Sequence, residues 1–376
     1  MIRSRSKTRL VFLQIGVVAW GVLILGAIAL LIPPAQAPFN LRNLPLVPIA
    51  AWLAGIGVIA FLVAGLMSKR IRTYILFFLA VGVILVNGLA YFGAYTLTHF
   101  NDSILPGLAF APKPANARKP SEFGLDYATE RIPINEKEWL EAWRIPVYGE
   151  AKGTVLLFPG NGGNKAHQLM IPAQVFHELG YHALMVDFRG QGGSSGNSTT
   201  LGMRESQDVV TAIQHAATID LPKPYVLYGV SLGSAAILKT VKSDQAELQP
   251  AAVILELPFA YLMSAVKTRM RAQNFPTKGI AELLVFWGSV QHGHNGFFHN
   301  PVNYAKSVVI PAMILHGEND RWTTLTEIEE LHQNLQGPKA LAIFPNAGHE
   351  LLVTVDRTAW TDQVAAFLQE NVESKT

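Results

Sequence analysis

The sequence predicts an α/β fold, a mainly parallel sheet with helices on both faces, preceded by three transmembrane helices. Three observations carry this. Long uncharged runs crowd the first hundred residues, charge sorts sharply by region, and short apolar runs alternate with amphipathic segments beyond residue 125. Half of the 376 residues are hydrophobic and only 15% are charged, and the excess apolarity sits at one end. Residues 1–101 hold eight Lys or Arg and no acid, which leaves 22 basic and 27 acidic side chains, a balance of −5, for the remainder. With no basic domain, a nucleic-acid partner loses its support.

Between Arg9 and Arg42 lie 32 residues without a charge; Asn43 to Ser68 gives 26 more and Thr73 to Asn101 another 29. Each can cross about 30 Å of hydrocarbon as a helix. The spans fall near 11–32, 46–67 and 73–98 of a membrane domain at 1–101, with buried core helices as the alternative. Positive clusters flank them at Arg3, Arg5, Lys7 and Arg9, and at Lys69, Arg70 and Arg72. Both clusters are cytoplasmic if the first two spans form a hairpin. The N-terminus is then cytoplasmic, and the third span carries everything after 101 to the periplasmic or extracellular side. The lack of cysteine favours a bacterial protein, in its inner membrane, over an exported eukaryotic one. Ala35-Gln36-Ala37 resembles a signal-peptide cleavage site, but the apolar core before it is longer than such peptides use.

Residues 102–124, with Pro106, Pro112, Pro114 and Pro120, read as a linker. From 125 to 376 the chain reads as one domain. Asp126–Ile134 and Trp139–Val147 form an antiparallel pair. The apolar runs Thr154–Phe158, Ala183–Asp187, Tyr225–Val230, Ala252–Leu257, Val309–His316 and Ala340–Phe344 follow as strands. Helical patterns cover 168–179, 203–217, 232–242, 324–335 and 358–371. Strand alternating with helix implies a parallel sheet whose ligands bind at the strands' C-terminal ends. Segment 258–305 breaks the rhythm and is rich in Met and aromatic residues; it reads as a lid over that face or as a pair of packing helices.

The run Gly229-Val230-Ser231-Leu232-Gly233, after a buried strand and before a helix of small residues, fits the nucleophile elbow G-x-S-x-G. The cramped turn favours glycine two positions either side of the serine and places the N–H of Leu232 at a helix N-terminus. A serine needs a base, and the base an orienting carboxylate. Asp320 lies just past the strand ending His316-Gly317, and His349 follows Gly348 in the loop before the last helix. Glu318 and Glu256 are the substitute acids. The second oxyanion donor falls in Pro159-Gly160-Asn161-Gly162-Gly163-Asn164, at Asn161 with Gly162 as the alternative. That loop lacks the G-K-[ST] ending of a phosphate-binding P-loop.

These motifs together resemble an α/β-hydrolase fold over about residues 125–372, of the group that includes membrane-anchored acyl-thioesterases, monoglyceride-lipase-like enzymes and serine aminopeptidase-like proteins. Phe158-Pro159-Gly160-Asn161-Gly162-Gly163-Asn164 is similar to the family's H-G-N-x-G-N loop, with Pro159 where the family has histidine. Asp187-Phe188-Arg189-Gly190-Gln191-Gly192-Gly193-Ser194-Ser195-Gly196 matches D-[YF]-R-G-x-G-x-S-x-G. The resemblance implies Ser231, Asp320 and His349 as a catalytic triad. The expected activity is a membrane-tethered serine hydrolase, with a small-molecule or lipid acyl substrate, the bilayer as its partner and no cofactor. Its rivals are a peptidase of the same fold and an inactive binding or scaffold module. A transporter is a weaker rival, because the spans carry no charge that would line an ion path. His292, His294 and His299 lack the fixed spacing of a metal site and read as a polar loop, and Arg189 reads as a brace at the sheet's end. Oligomeric state is not legible in the sequence.

Overall fold

The short apolar runs assemble into an eight-stranded sheet in a computed structural model that describes residues 69–100, 112–242 and 250–375. The spans predicted near 11–32 and 46–67 lie outside the described residues, as does the linker up to residue 111. All described residues except Gly293–Asn295 belong to one compact unit.

The strands are β1 (Ala128–Pro133), β2 (Trp139–Ile145), β3 (Thr154–Phe158), β4 (His182–Val186), β5 (Tyr225–Val230), β6 (Ala252–Glu256), β7 (Ala312–Gly317) and β8 (Lys339–Phe344). Their order across the sheet is β1-β2-β4-β3-β5-β6-β7-β8. β2 pairs antiparallel with β1 and with β4, and all other pairs are parallel. β3, β5, β6 and β7 are buried along their whole length, as strands covered on both faces must be. The two-residue period divides the core: Val155 and Leu157 enter one apolar cluster and Leu156 and Phe158 the other. β7 starts three residues later than its apolar run, because Pro311 has no N–H for the ladder and Val309 is exposed.

The helices are α1 (Lys69–Thr98), α2 (Met170–Glu178), α3 (Glu205–Thr218), α4 (Leu232–Val241), α5 (Leu262–Ala272), α6 (Ile280–His292), α7 (Pro301–Ala305), α8 (Leu325–Asn334), α9 (Leu352–Val355) and α10 (Arg357–Asn371). α2 and α10 supply Phe176, Trp360 and Val364 to one cluster; α3, α4 and α8 supply Val209, Ile237 and Leu331 to the other. Caps set the starts of α8 and α10. Thr324 and Glu327 bond reciprocally in a capping box, and Asp356 accepts from Ala359 N–H at 2.9 Å.

The third predicted span coincides with α1, of which Thr73–Thr98 is long and apolar enough to cross a membrane. Its large side chains face outward, Phe78, Ile84 and Leu89 each more than 60% exposed. Ala90 and Ala94 are buried instead, on the stretch where α1 meets α6. There Trp287 Nε1 donates to Asn87 Oδ1 at 3.2 Å and Gln291 Nε2 to Tyr91 O at 2.8 Å. His292 stacks on His99 with 5.0 Å between ring centroids. Asn87 is the polar residue of an otherwise apolar turn, and α6 satisfies it. Segment 258–305 is thus a helical excursion, α5 to α7, whose second helix lies along α1.

Residues 112–124 of the predicted linker are held on the domain. Gly192 N–H donates to Pro114 O at 2.9 Å, Asn164 Nδ2 to Ala115 O at 2.9 Å and Asn116 Nδ2 to Asp187 at 2.7 Å. Lys113 Nζ donates to Ser194 O.

Candidate active site

Ser231 sits between β5 and α4 with φ 51° and ψ −102°, a backbone conformation that a side chain with a Cβ rarely adopts. Close packing around the turn explains the flanking glycines. A Cβ on Gly229 would stand 2.5 Å from Gly233 C, and one on Gly233 would stand 2.6 Å from Phe158 O. Ser231 N–H donates to Glu256 O at 2.8 Å. Ser234 Oγ, one turn into α4, donates to Gly229 O at 2.6 Å. The elbow is therefore tied to both β5 and β6, and the Ser231 side chain points out at the C-terminal edge of the sheet.

His349 reaches this hydroxyl from the loop after β8, with Nε2 3.2 Å from Ser231 Oγ. Its Nδ1 lies 2.7 Å from Asp320 Oδ2. The other Asp320 oxygen accepts from Trp322 N–H at 2.7 Å and Thr323 N–H at 3.3 Å. Burial works to raise the Asp320 pKa, but the bond from His349 and these backbone donors outweigh it, and the carboxyl is held below its ordinary value. His316, buried 3.8 Å from Asp320, is pushed the other way: burial holds its imidazole neutral against the pull of the carboxylate. The structure thus brings Ser231, His349 and Asp320 into one hydrogen-bonded line, although they lie on loops up to 118 residues apart.

The two substitute acids are placed elsewhere. Glu318 is exposed at the end of β7. Glu256 is fully buried beneath the site, where its carboxylate accepts from Tyr228 OH at 2.9 Å, Trp360 Nε1 at 2.8 Å and Leu352 N–H at 2.8 Å. Burial raises its pKa despite those donors. It joins β6 to β5, α9 and α10 and does not orient His349.

Asn161 and Gly162 are the central residues of an exposed turn after β3, closed by Gly163 N–H to Gly160 O at 3.2 Å. Gly162 has φ +69°, which suits glycine. The turn abuts the elbow closely: a Cβ on Gly160 would lie 3.4 Å from Ser231 Cβ. Leu232 is the first residue of α4, so its N–H belongs to a helix's unpaired first turn. Two residues that sequence reasoning missed hold the turn in place. Gln168 Oε1 accepts from Gly160 N–H at 2.6 Å, and Gln191 Nε2 donates to Gly160 O at 3.0 Å. Gln191 lies inside the D-F-R-G-Q-G run, whose own role is now visible. Arg189 braces the sheet end through Asp208 at 2.7 Å and Glu138 at 3.2 Å.

The same run anchors a buried ionic cluster. Lys165, with a fully buried side chain, pairs with Asp187 and with Glu141 at 2.7 Å, its ammonium 4.6 Å from the Trp143 ring centroid. Asp187 also accepts from Lys165 N–H at 2.7 Å and Gly193 N–H at 3.0 Å. Of the clustered histidines, His299 is buried between Leu201 O at 2.8 Å and Tyr304 OH at 3.0 Å. No group of three His, Asp or Glu among the described residues is arranged to hold a metal.

Comparison with known proteins agrees with this fold. The model of the prolyl oligopeptidase family matches residues 168–375. The uncharacterized protein YqkD of Bacillus subtilis is 25% identical over 207 residues, 54% of this chain and 66% of that protein. The lysophosphatidylserine lipase ABHD12 of Danio rerio is 27% identical over 202 residues, 48% of either chain. The chain therefore spans just under two thirds of the first relative and about half of the second. Among solved structures, the Pyrococcus furiosus esterase Pf2001 superposes with a TM-score of 0.56 at 18% identity, covering 69% of this chain and 98% of its own. That likeness shows the α/β-hydrolase fold.

Proposed function

The chain belongs to the prolyl oligopeptidase family and has its hydrolase fold, and from that premise we propose that it is a membrane-tethered serine hydrolase that cleaves an ester or thioester through an acyl-enzyme. One observation carries the reading: His349 lies 3.2 Å from Ser231 Oγ and 2.7 Å from Asp320, within or at the limit of hydrogen-bond reach on both sides. Ser231 Oγ attacks the acyl carbonyl while His349 Nε2 takes its proton. Asp320 holds the Nδ1–H tautomer and stabilises the imidazolium. The oxyanion is received by the N–H groups of Leu232 and Asn161, the first of them at a helix N-terminus. His349 returns the proton to the departing alcohol or thiol, and water releases the acid by the same steps in reverse.

An acyl substrate, small or lipid, is favoured by two features. The relatives' names include a lipase and an esterase, and apolar α6 lies along a helix long enough to cross a bilayer. The name of the family favours a peptidase instead. Both readings meet in one experiment, labelling of membranes with a fluorophosphonate beside Ser231→Ala and His349→Ala. Labelling is expected in the wild type and in neither variant; a folded wild type that stays unlabelled overturns the hydrolase reading and leaves a binding or scaffold module. Turnover of esters, thioesters and lysolipids in preference to prolyl amides then separates esterase from peptidase.

We also place the catalytic domain outside the cytoplasm of a bacterial cell, with the bilayer around α1 and no nucleic-acid partner. The support is the positive clusters at Arg3–Arg9 and Lys69–Arg72 and the absence of acid before residue 102. A reporter fused after Thr376 is expected to be active only on the outer side of the membrane. Activity in the cytoplasm would reverse the topology.

A further inference from the structure

Helix α5 carries one cation to the acid end of the site, and the described residues pair it with no carboxylate. Arg269 is half-buried, its guanidinium carbon 5.1 Å from the centroid of the Trp322 ring. Its hydrogen bond goes back to its own helix, Nη1 to Ala265 O at 3.4 Å, long for an N–H donor. Two other cations of the domain do find carboxylates. Lys267, two residues away, pairs with Glu282 at 2.6 Å, and Arg189 is held by Asp208 and Glu138.

Trp322 in turn belongs to the site. It follows Asp320 by two residues and gives that carboxylate its N–H at 2.7 Å. Trp322 thus touches the guanidinium with its ring and the acid of the Asp320–His349–Ser231 line with its backbone N–H. Asp320 makes no ion pair with it; its oxygens accept instead from His349 on one side and from Trp322 and Thr323 on the other. A guanidinium lying on an aromatic face keeps its in-plane N–H groups available, and their fork matches a carboxylate or phosphate. Burial lowers the Arg269 pKa while the charge of Asp320 works against it, as for a cation short of partners.

We propose that Arg269, resting on Trp322, binds an anionic group of the acyl substrate, a carboxylate or phosphate, and so selects acidic acyl compounds over neutral ones. The proposal rests on Ser231 being the nucleophile.

The test uses the full chain in detergent and two matched pairs of esters. p-Nitrophenyl valerate and p-nitrophenyl hemiglutarate differ by a methyl against a carboxylate on the acyl side. Methyl 4-(butyryloxy)benzoate and free 4-(butyryloxy)benzoate differ by a methyl ester against a carboxylate on the alcohol side. Arg269→Gln is expected to lower the anionic-to-neutral ratio of kcat/KM about tenfold in at least one pair, the loss of one charged hydrogen bond. That loss should fall on KM, and Arg269→Lys should restore part of it. The responding pair tells on which side of the scissile bond the anion lies. A ratio unchanged in both pairs overturns the proposal, whether or not overall rates fall, because a latch between α5 and the domain would affect neutral and anionic esters alike. A wild type that hydrolyses none of the four overturns the proposal, and one that also stays unlabelled by the fluorophosphonate overturns the hydrolase reading with it.

Discussion

Asp320→Asn is expected to lower kcat by about 10⁴-fold while leaving the domain folded. The asparagine Oδ1 can keep the bonds from Trp322 and Thr323 N–H at 2.7 and 3.3 Å, so the loop after β7 retains its shape. What changes is the atom facing His349. An amide nitrogen there donates to Nδ1 instead of accepting from it, which fixes the proton on Nε2. An Nε2 that already bears a proton cannot take one from Ser231 Oγ 3.2 Å away. Steady-state kinetics on the preferred ester, with circular dichroism to establish folding, measure the effect. A folded variant within tenfold of wild type would remove Asp320 from the mechanism.

The same substitution has a consequence for stability. The Asp320 carboxyl is held below its ordinary value of 3.8, against burial, by His349 and the backbone donors. A carboxylate depressed in the folded state contributes stability that is complete above its unfolded pKa and is lost as pH falls through the folded one. Below about pH 4 the wild type therefore loses this contribution, and the variant, with no charge at 320, has none to lose. Acid unfolding of Asp320→Asn should start from a lower plateau and fall less steeply. A variant with the wild-type slope would mean that other carboxylates govern the acid limb.

The elbow was legible because its constraint is local. Gly229 and Gly233 are required by backbone atoms within a few residues of Ser231 or in the adjoining β3 turn, and that requirement is written as glycine. Asp320 and His349 were legible for a related reason, each at a strand end before a helix, where parallel sheets expose side chains. The strand order was not legible, since nothing in the apolar runs of β3 and β4 tells which lies beside β5. Nor was the packing of α6 on α1. Asn87 reads as one polar residue in an apolar run, and its partner Trp287 is 200 positions away. Gln168 and Gln191 hold the turn at Gly160 through side chains whose type is common anywhere. Arg269 gave no signal at all, because its meaning depends on Trp322 lying against it and on the lack of an ion pair to it among the described residues.

Asp187→Ala is expected to destabilise the domain by about 3–5 kcal/mol, more than most single substitutions. Lys165 has no exposed side-chain surface, so its ammonium cannot turn to water when Asp187 is removed. Glu141, 2.7 Å away, remains, but that carboxylate is partly exposed and supplies one partner where the site provides two. The loss spreads through the backbone. Lys165 N–H and Gly193 N–H, which donate to Asp187 at 2.7 and 3.0 Å, are left without their acceptor, and Asn116 Nδ2 keeps only its long bond to Glu141 at 3.4 Å. These donors lie on the segment before β1, on the turn leading into α2 and on the glycine-rich run, so one carboxylate joins three separate stretches beside the Gly160 turn. Thermal unfolding of the full chain in detergent should shift down by roughly 10 °C, at about 2–4 °C per kcal/mol for a domain of this size. The double variant Lys165→Met, Asp187→Leu leaves no unpaired charge at these two positions, and is expected to recover part of the loss. If the double variant is no more stable than Asp187→Ala, the penalty lies in the orphaned backbone donors and not in the stranded ammonium. An Asp187→Ala midpoint within a degree or two of wild type would mean that water reaches the cluster.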